Sequence, residues 1–180
     1  MTKHAAAIAL MAVLQGRAAA QTNPPELAHT RTEAHLTLNV PYEVAAPLFG
    51  PLAEEQWSPD WKPRFLYPNP PADREGAVFE VDFSPTHQSV WTMTQYDLAG
   101  GHIQYVFTIS HAVLTRIDIT LARSSAGGTD VTVVHERTAL DPGVNAAVQK
   151  MAKSDAEQVA EWKAPIEAWA TKSKAAASRP

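Results

Sequence analysis

The stretch GHIQYVFTISHAVLTRIDITLARSSAGGTDVTVVHERTAL (residues 101–140), with DPGVNAAVQKMAKSDAEQVAEWKAPIEAWATK directly after it (residues 141–172), decides the fold. Its first part shows three times the period-two alternation of a half-buried strand. Ile103, Tyr105, Phe107 and Ile109 alternate with Gln104, Thr108 and Ser110. Val113, Ile117, Ile119 and Leu121 alternate with Arg116, Asp118 and Thr120. Val131 and Val133 set the inner face of a third strand at odd positions, which His135 and Arg137 continue. Gly127-Gly128 marks a hairpin loop between the second and third strands. The period then changes to that of a helix. Val148, Met151, Val159, Trp162, Ile166 and Trp169 form one apolar stripe, while Lys150, Lys153, Glu157, Glu161 and Lys163 fall off it and should be solvated. Asp141 is placed to cap this helix and Pro142 suits its first turn, whereas Pro165 should kink its last third. The pattern predicts an α+β domain in which a curved antiparallel sheet wraps a long C-terminal helix over 142–172, the odd positions of 103–109 facing it. A cup closed by a helix suits the enclosure of something apolar.

Working towards the N-terminus, two further strands are expected over 77–83 and 89–96. The first has Ala77, Phe79, Val81 and Phe83 on one face; the second has apolar residues on both faces, which leaves its orientation open. A glycine-containing turn over 97–101 joins the second to the strand beginning near Ile103. Residues 69–76 read as a polar loop. In residues 54–68, Trp57, Trp61 and Phe65 recur every four positions, but Pro59, Pro63 and Pro68 oppose a helix. An irregular aromatic segment laid across the fold is expected. A short helix should start near Pro41 and end at Gly50-Pro51, and a half-buried strand should occupy 32–40, with Ala34, Leu36, Leu38 and Val40 inward.

The first twenty residues have the order of a secretory signal. Lys3 and His4 precede an uncharged apolar run over 5–14, too short to span a bilayer, and Ala18-x-Ala20 supplies small residues at a cleavage site. Cleavage between Ala20 and Gln21 is expected, delivering the mature chain to the periplasm or outside the cell; the alternative is a retained alanine-rich helix. The organisation expected is then a signal over 1–20, a flexible lead-in over 21–31, one domain over 32–172 and a flexible tail over 173–180. No second apolar stretch approaches spanning length, so no integral membrane segment is expected in the mature chain. The chain has no cysteine, which excludes disulfides, thiol nucleophiles and thiolate metal sites. A net charge of −4 with scattered basic residues argues against nucleic acid as a partner. The histidines show no metal-ligand spacing, and no nucleophile, phosphate-loop or dinucleotide motif is present, so neither metal nor cofactor is expected.

The run Gln56-Trp57-x-Pro59-x-Trp61-x-Pro63-x-Phe65-Leu66-Tyr67-Pro68 resembles the START-like, or SRPBCC, superfamily. So do Val78-Phe79, Trp91, Tyr96-Asp97, Val131-Thr132-Val133, Thr138-Ala139-Leu140 and Ala160-Glu161-Trp162. The likeness runs over about Ala34 to Ala170. It implies the helix-grip fold, with a cavity between sheet and helix. The superfamily spans lipid carriers, hormone receptors, allergens and aromatic polyketide cyclases, so fold leaves activity open.

The candidate cavity wall is Trp91, Tyr105, Phe107, Ile117, Ile119 and Val133, joined by three polar residues on otherwise apolar faces: His135, Arg137 and Asp155. Asp155 lies four residues after Met151 and four before Val159, in the middle of the helix stripe, so it could meet His135 and Arg137. Buried charges there would need one another or a ligand's polar head; the alternative is that His135 and Arg137 reach the mouth and meet water. Trp57 and Trp61 are expected to plug the core rather than to stack on a ligand. Three functions remain open. The leading one is a binding or carrier module for a small hydrophobic molecule or lipid. The others are an acid–base enzyme of cyclase or dehydratase type using residues such as His135 and Asp155, and a ligand-free module filled by its own side chains.

Overall fold

The computed structural model describes residues 26–177 except 85, 86 and 110. The signal and its cleavage site therefore lie outside the described residues, as do most of the lead-in and the side chain of Phe83. Seven antiparallel strands form one sheet in the order β1-β7-β6-β5-β4-β3-β2. They are β1 (His29–Leu38), β2 (Arg64–Tyr67), β3 (Val78–Ser84), β4 (His87–Asp97), β5 (His102–Ile109), β6 (Val113–Arg123) and β7 (Thr129–Ala139). Register shifts in the β2–β3, β3–β4 and β4–β5 pairs bend this half of the sheet. Short helices α1 (Tyr42–Ala45) and α2 (Pro51–Glu54), joined by a 3-10 turn, follow β1. After β7 come α3 (Asn145–Glu161) and α4 (Lys163–Ala177), which pack on the same face of the sheet.

The alternation in the sequence sets which face is covered. Ile103, Tyr105 and Phe107 are buried and Gln104 and Thr108 only half-buried, as the odd-inward register requires. On β4, Ser89, Trp91 and Met93 point inward and Val90 is 42% exposed on the outer face, which resolves the strand whose orientation the sequence left open. Phe79, Trp91 and Phe107 are direct register partners across β3, β4 and β5. Their rings stack: centroids are 5.8 Å apart for Phe79–Trp91 and 3.7 Å for Trp91–Phe107. Such pairs add about 0.5–1.5 kcal/mol each beyond their buried area.

Four boundaries differ from expectation. β1 begins at His29 rather than Thr32, because β7 is long enough to pair with it as far as Thr138; residues 29–31 are thus strand and not lead-in. Arg64–Tyr67, inside the proline-rich segment, forms an edge strand. Pro63 and Pro68 bracket it, where a missing donor costs no ladder bond. The helix expected to end at Gly50-Pro51 restarts there as α2, since proline is accommodated in a first turn. The kink expected in the C-terminal helix is present. Pro165 has no N–H and crowds the carbonyl four residues earlier, so α3 stops at Glu161 and α4 resumes at Lys163. α4 then continues to Ala177, so residues 173–177 are helical rather than tail; Lys174 and three alanines are good helix formers.

Asp141 accepts from Gly143 N at 2.7 Å and caps a 3-10 turn that leads into α3. Trp57 donates to Leu48 O and Trp61 to Pro51 O, at 2.7 and 2.8 Å. Both indoles are thus tied into the core beside the sheet, as plugs of that segment. No described helix is long and apolar enough to cross a membrane.

Candidate functional site

The strand registers arrange the inner face in rows. One row crosses five strands as Met93, Tyr105, Ile117, His135 and Thr32. The next crosses as Phe79, Trp91, Phe107, Thr115, Arg137 and Thr30. The first row is aromatic or apolar from β4 to β6 and polar on β7 and β1; the second is aromatic from β3 to β5 and polar from β6 to β1. Helix α3 lies over β1 and β7, the polar side, so Asp155 descends onto His135 and Arg137.

Arg137 grips Asp155 with two parallel hydrogen bonds of 2.6 and 2.8 Å, and the Thr32 hydroxyl donates to the same carboxylate. Arg137 is 6% exposed and Asp155 1%. Burial pushes the Asp155 carboxyl up, but the Arg137 and Thr32 hydrogen bonds outweigh it and hold the group below the usual range. The pair cancels its own charge. His135 Nδ1 stands 3.9 Å from Asp155 Oδ1, beyond hydrogen-bond reach. Burial, followed by the Arg137 charge, pulls His135 down to about 4 against the opposing effect of Asp155, so the ring is neutral at pH 7. Its Nδ1 and the Thr30 Oγ1 are buried atoms with no hydrogen-bond partner among the described residues.

The nine residues singled out from sequence are placed as follows. His135, Arg137 and Asp155 meet. Trp91 and Phe107 stack, and Tyr105 sits edge-on to Trp91 while donating to Phe49 O at 2.5 Å. Ile119 and Val133 face each other, buried at 4% and 0%. Ile117, opposite His135, points inward yet is only half-buried, as is Ile109 at the end of β5. Ile117 thus keeps part of its surface uncovered on the inner face, in register with His135. Separately, an open groove of about 940 Å³ lies between residues 39–44 and the last turns of α4, and none of the nine residues lines it.

Two polar features were not evident in the sequence. Thr30, Thr32 and Thr115 complete the polar end of the rows, but threonine is so ordinary in strands that only the register reveals them. At the opposite end, Glu54, Asp73, Tyr96 and Tyr105 converge. Asp73 accepts from Leu52 N and Ala53 N at 2.7 and 3.1 Å, fixing the start of α2. Burial, then the Asp73 charge, pushes Glu54, half-buried at the end of α2, up to about 8. Burial also raises Asp73 despite its two backbone hydrogen bonds, and raises Tyr96 to about 12. No group of three or more potential metal ligands occurs among the described residues.

No family model and no curated protein matches the sequence. Solved structures match in fold. Norcoclaurine synthase from Thalictrum flavum, in complex with dopamine and hydroxybenzaldehyde, is 9% identical; the match has a TM-score of 0.57 and covers 86% of this chain and 90% of that one. The protein Ara h 8.0201 is 13% identical, with a TM-score of 0.56 over 81% and 99%. An uncharacterized protein from Rhizobium leguminosarum is 12% identical, with a TM-score of 0.56 over 82% and 97%. The architecture is thus the helix-grip fold: a seven-stranded antiparallel sheet closed by a bent C-terminal helix. At these identities the likeness is one of fold alone.

Proposed function

We propose that the protein is a binding or carrier module for a small hydrophobic molecule or lipid. The ligand would be held between the inner face of the sheet and α3, and the mature chain would be exported to the periplasm or beyond. One observation carries this reading: Ile109 and Ile117 lie on the inner face of the sheet yet are incompletely covered, next to the aromatic stack and to a buried, unpartnered imidazole nitrogen. Apolar surface that faces inward and stays accessible is surface a ligand can cover, at about 25 cal/mol per Å². That norcoclaurine synthase, of the same fold, holds two small aromatic molecules also supports a small-molecule site.

A second reading, an acid–base enzyme on an apolar substrate, has its own support. Glu54, held protonated up to about 8 beside Tyr105, is suited to donate a proton near neutral pH. The pairing expected from the sequence, His135 with Asp155, suits this role less well, because Asp155 is occupied by Arg137 and Thr32.

Native mass spectrometry of protein purified from its own host tests the carrier. A co-purifying apolar molecule lost on Phe107→Asp is expected; ligand-free protein that also fails to take up apolar probes would end the proposal. N-terminal sequencing of the same material tests export. The mature chain should begin at Gln21, and a retained Met1 would refute it.

A further inference from the structure

The polar end of the inner face is built for one kind of head group. The Thr32 hydroxyl and two of the five N–H groups of Arg137 are bonded to Asp155, and the ion pair leaves no net charge. Beside it, His135 Nδ1, on a side chain 8% exposed, and Thr30 Oγ1 in the adjoining row are buried and lack a partner among the described residues. A buried polar atom left unpaired costs about 1–3 kcal/mol, so a ligand group that pairs both gains what the protein alone forgoes. The half-buried Ile117 lies directly opposite His135 in the register, with Phe107 in the next row, so an apolar body has wall to cover beside those two atoms.

Resting on the carrier reading, we infer that His135 Nδ1 and Thr30 Oγ1 receive the hydroxyl of an uncharged apolar alcohol or phenol whose body lies along Ile117 and Phe107.

Three properties of the site select a hydroxyl. It both donates and accepts, so it satisfies Nδ1 in either neutral tautomer and still engages the Thr30 hydroxyl. A carboxylate would bring an uncompensated negative charge beside Asp155, into a site whose one cation is already paired, and burying such a charge is costly. An ammonium head would have no free anion to meet, because the Asp155 oxygens already accept three hydrogen bonds.

The test uses the purified full-length mature chain at pH 7.5, with displacement of the neutral fluorophore N-phenyl-1-naphthylamine by decanol, decanoate and decyl methyl ether. Decanol is expected to bind about five- to tenfold more tightly than the ether, the scale of one net hydrogen bond, and more tightly still than decanoate. His135→Leu should abolish the preference over the ether while leaving ether affinity within about twofold. His135→Gln, which offers an amide in place of the imidazole, should restore part of it. Thr30→Val, close in shape, should lower the preference a few-fold, and it reads the same ratio should the histidine variants fold poorly. Decanoate binding as tightly as decanol, or a preference unchanged in both His135→Leu and Thr30→Val, would overturn the head-group assignment while the carrier reading stands. Displacement by none of the three would remove both.

Discussion

Replacing Asp155 by alanine should cost the fold about 3–5 kcal/mol. The carboxylate is 1% exposed and accepts three hydrogen bonds, two from Arg137 and one from Thr32. Its removal strands a guanidinium that is 6% exposed, between α3 and β7, with no other ion pair among the described residues. Hydrogen bonds to charged groups are worth about 1.5–3 kcal/mol each. Part of that is returned because the carboxylate itself no longer has to be desolvated. Against a typical stability of about 5–15 kcal/mol the loss is severe, and for a domain of this size it corresponds to a fall in Tm of roughly 6–20 °C. The companion is Arg137→Met with Asp155→Leu, which removes both charges and fills the space. It should recover most of the loss, since a buried ion pair contributes little over well-packed apolar side chains. Urea denaturation of the two single variants and the double variant gives the coupling energy directly. A loss below about 1 kcal/mol in Asp155→Ala, or a double variant as unstable as the singles summed, would refute the view of this pair as a mutual charge clamp. The same reasoning makes Asp155→Ala a poor probe of catalysis, because its effect on folding comes first.

Acid should loosen the same region. The His135 pKa falls from 6.5 to about 4 on folding, so the unfolded chain binds the extra proton; stability is full above 6.5 and is lost as pH falls through 4. His135→Phe should flatten that part of a pH–stability profile, and a profile equally steep in the variant would contradict it. Glu54 behaves with the opposite sign. Its pKa rises from 4.5 to about 8, so its contribution is full below 4.5 and is lost as pH rises through 8. Glu54→Gln should therefore gain on the order of 1–3 kcal/mol over the native chain at pH 9 and little at pH 4, read by urea denaturation at both values; an equal effect at each would be contrary. Gly101→Ala should lose at least about 2 kcal/mol. Its φ is +72°, and an added Cβ would meet the Leu121 carbonyl oxygen at 2.2 Å; a variant of native stability would exclude that clash.

Much of this was legible in the residues because the sheet writes its faces into a period of two. Val131 and Val133 were enough to place His135 and Arg137 inward, and the helix stripe was enough to place Asp155 opposite them. What stayed hidden depends on register between strands distant in sequence. Nothing local distinguishes Thr30 or Thr32 from the other threonines of β1; their roles arise from lying opposite Arg137 and His135. Glu54 and Asp73 escaped for a related reason. They stand in a short helix and an irregular loop with no period, and meet only because Asp73 folds back on the start of α2. The strand Arg64–Tyr67 was obscured by the same prolines that, in the folded sheet, mark it as an edge.

The pairing of β1 with β7 has a consequence in time. His29 lies opposite Thr138 and Leu38 opposite Thr129. The first strand made therefore waits for the last, and everything that seals the core against it, α3 included, is synthesised later still. With chain growth at roughly 5–20 residues per second, the 91-residue interval between the end of β1 and the start of β7 (129 − 38) leaves β1 unpaired for about 5–20 s. Ala34, Leu36 and Leu38 stay uncovered throughout. Such long-range closure makes for slow folding, and it leaves the apolar face of β1 exposed to aggregation until the final helices emerge.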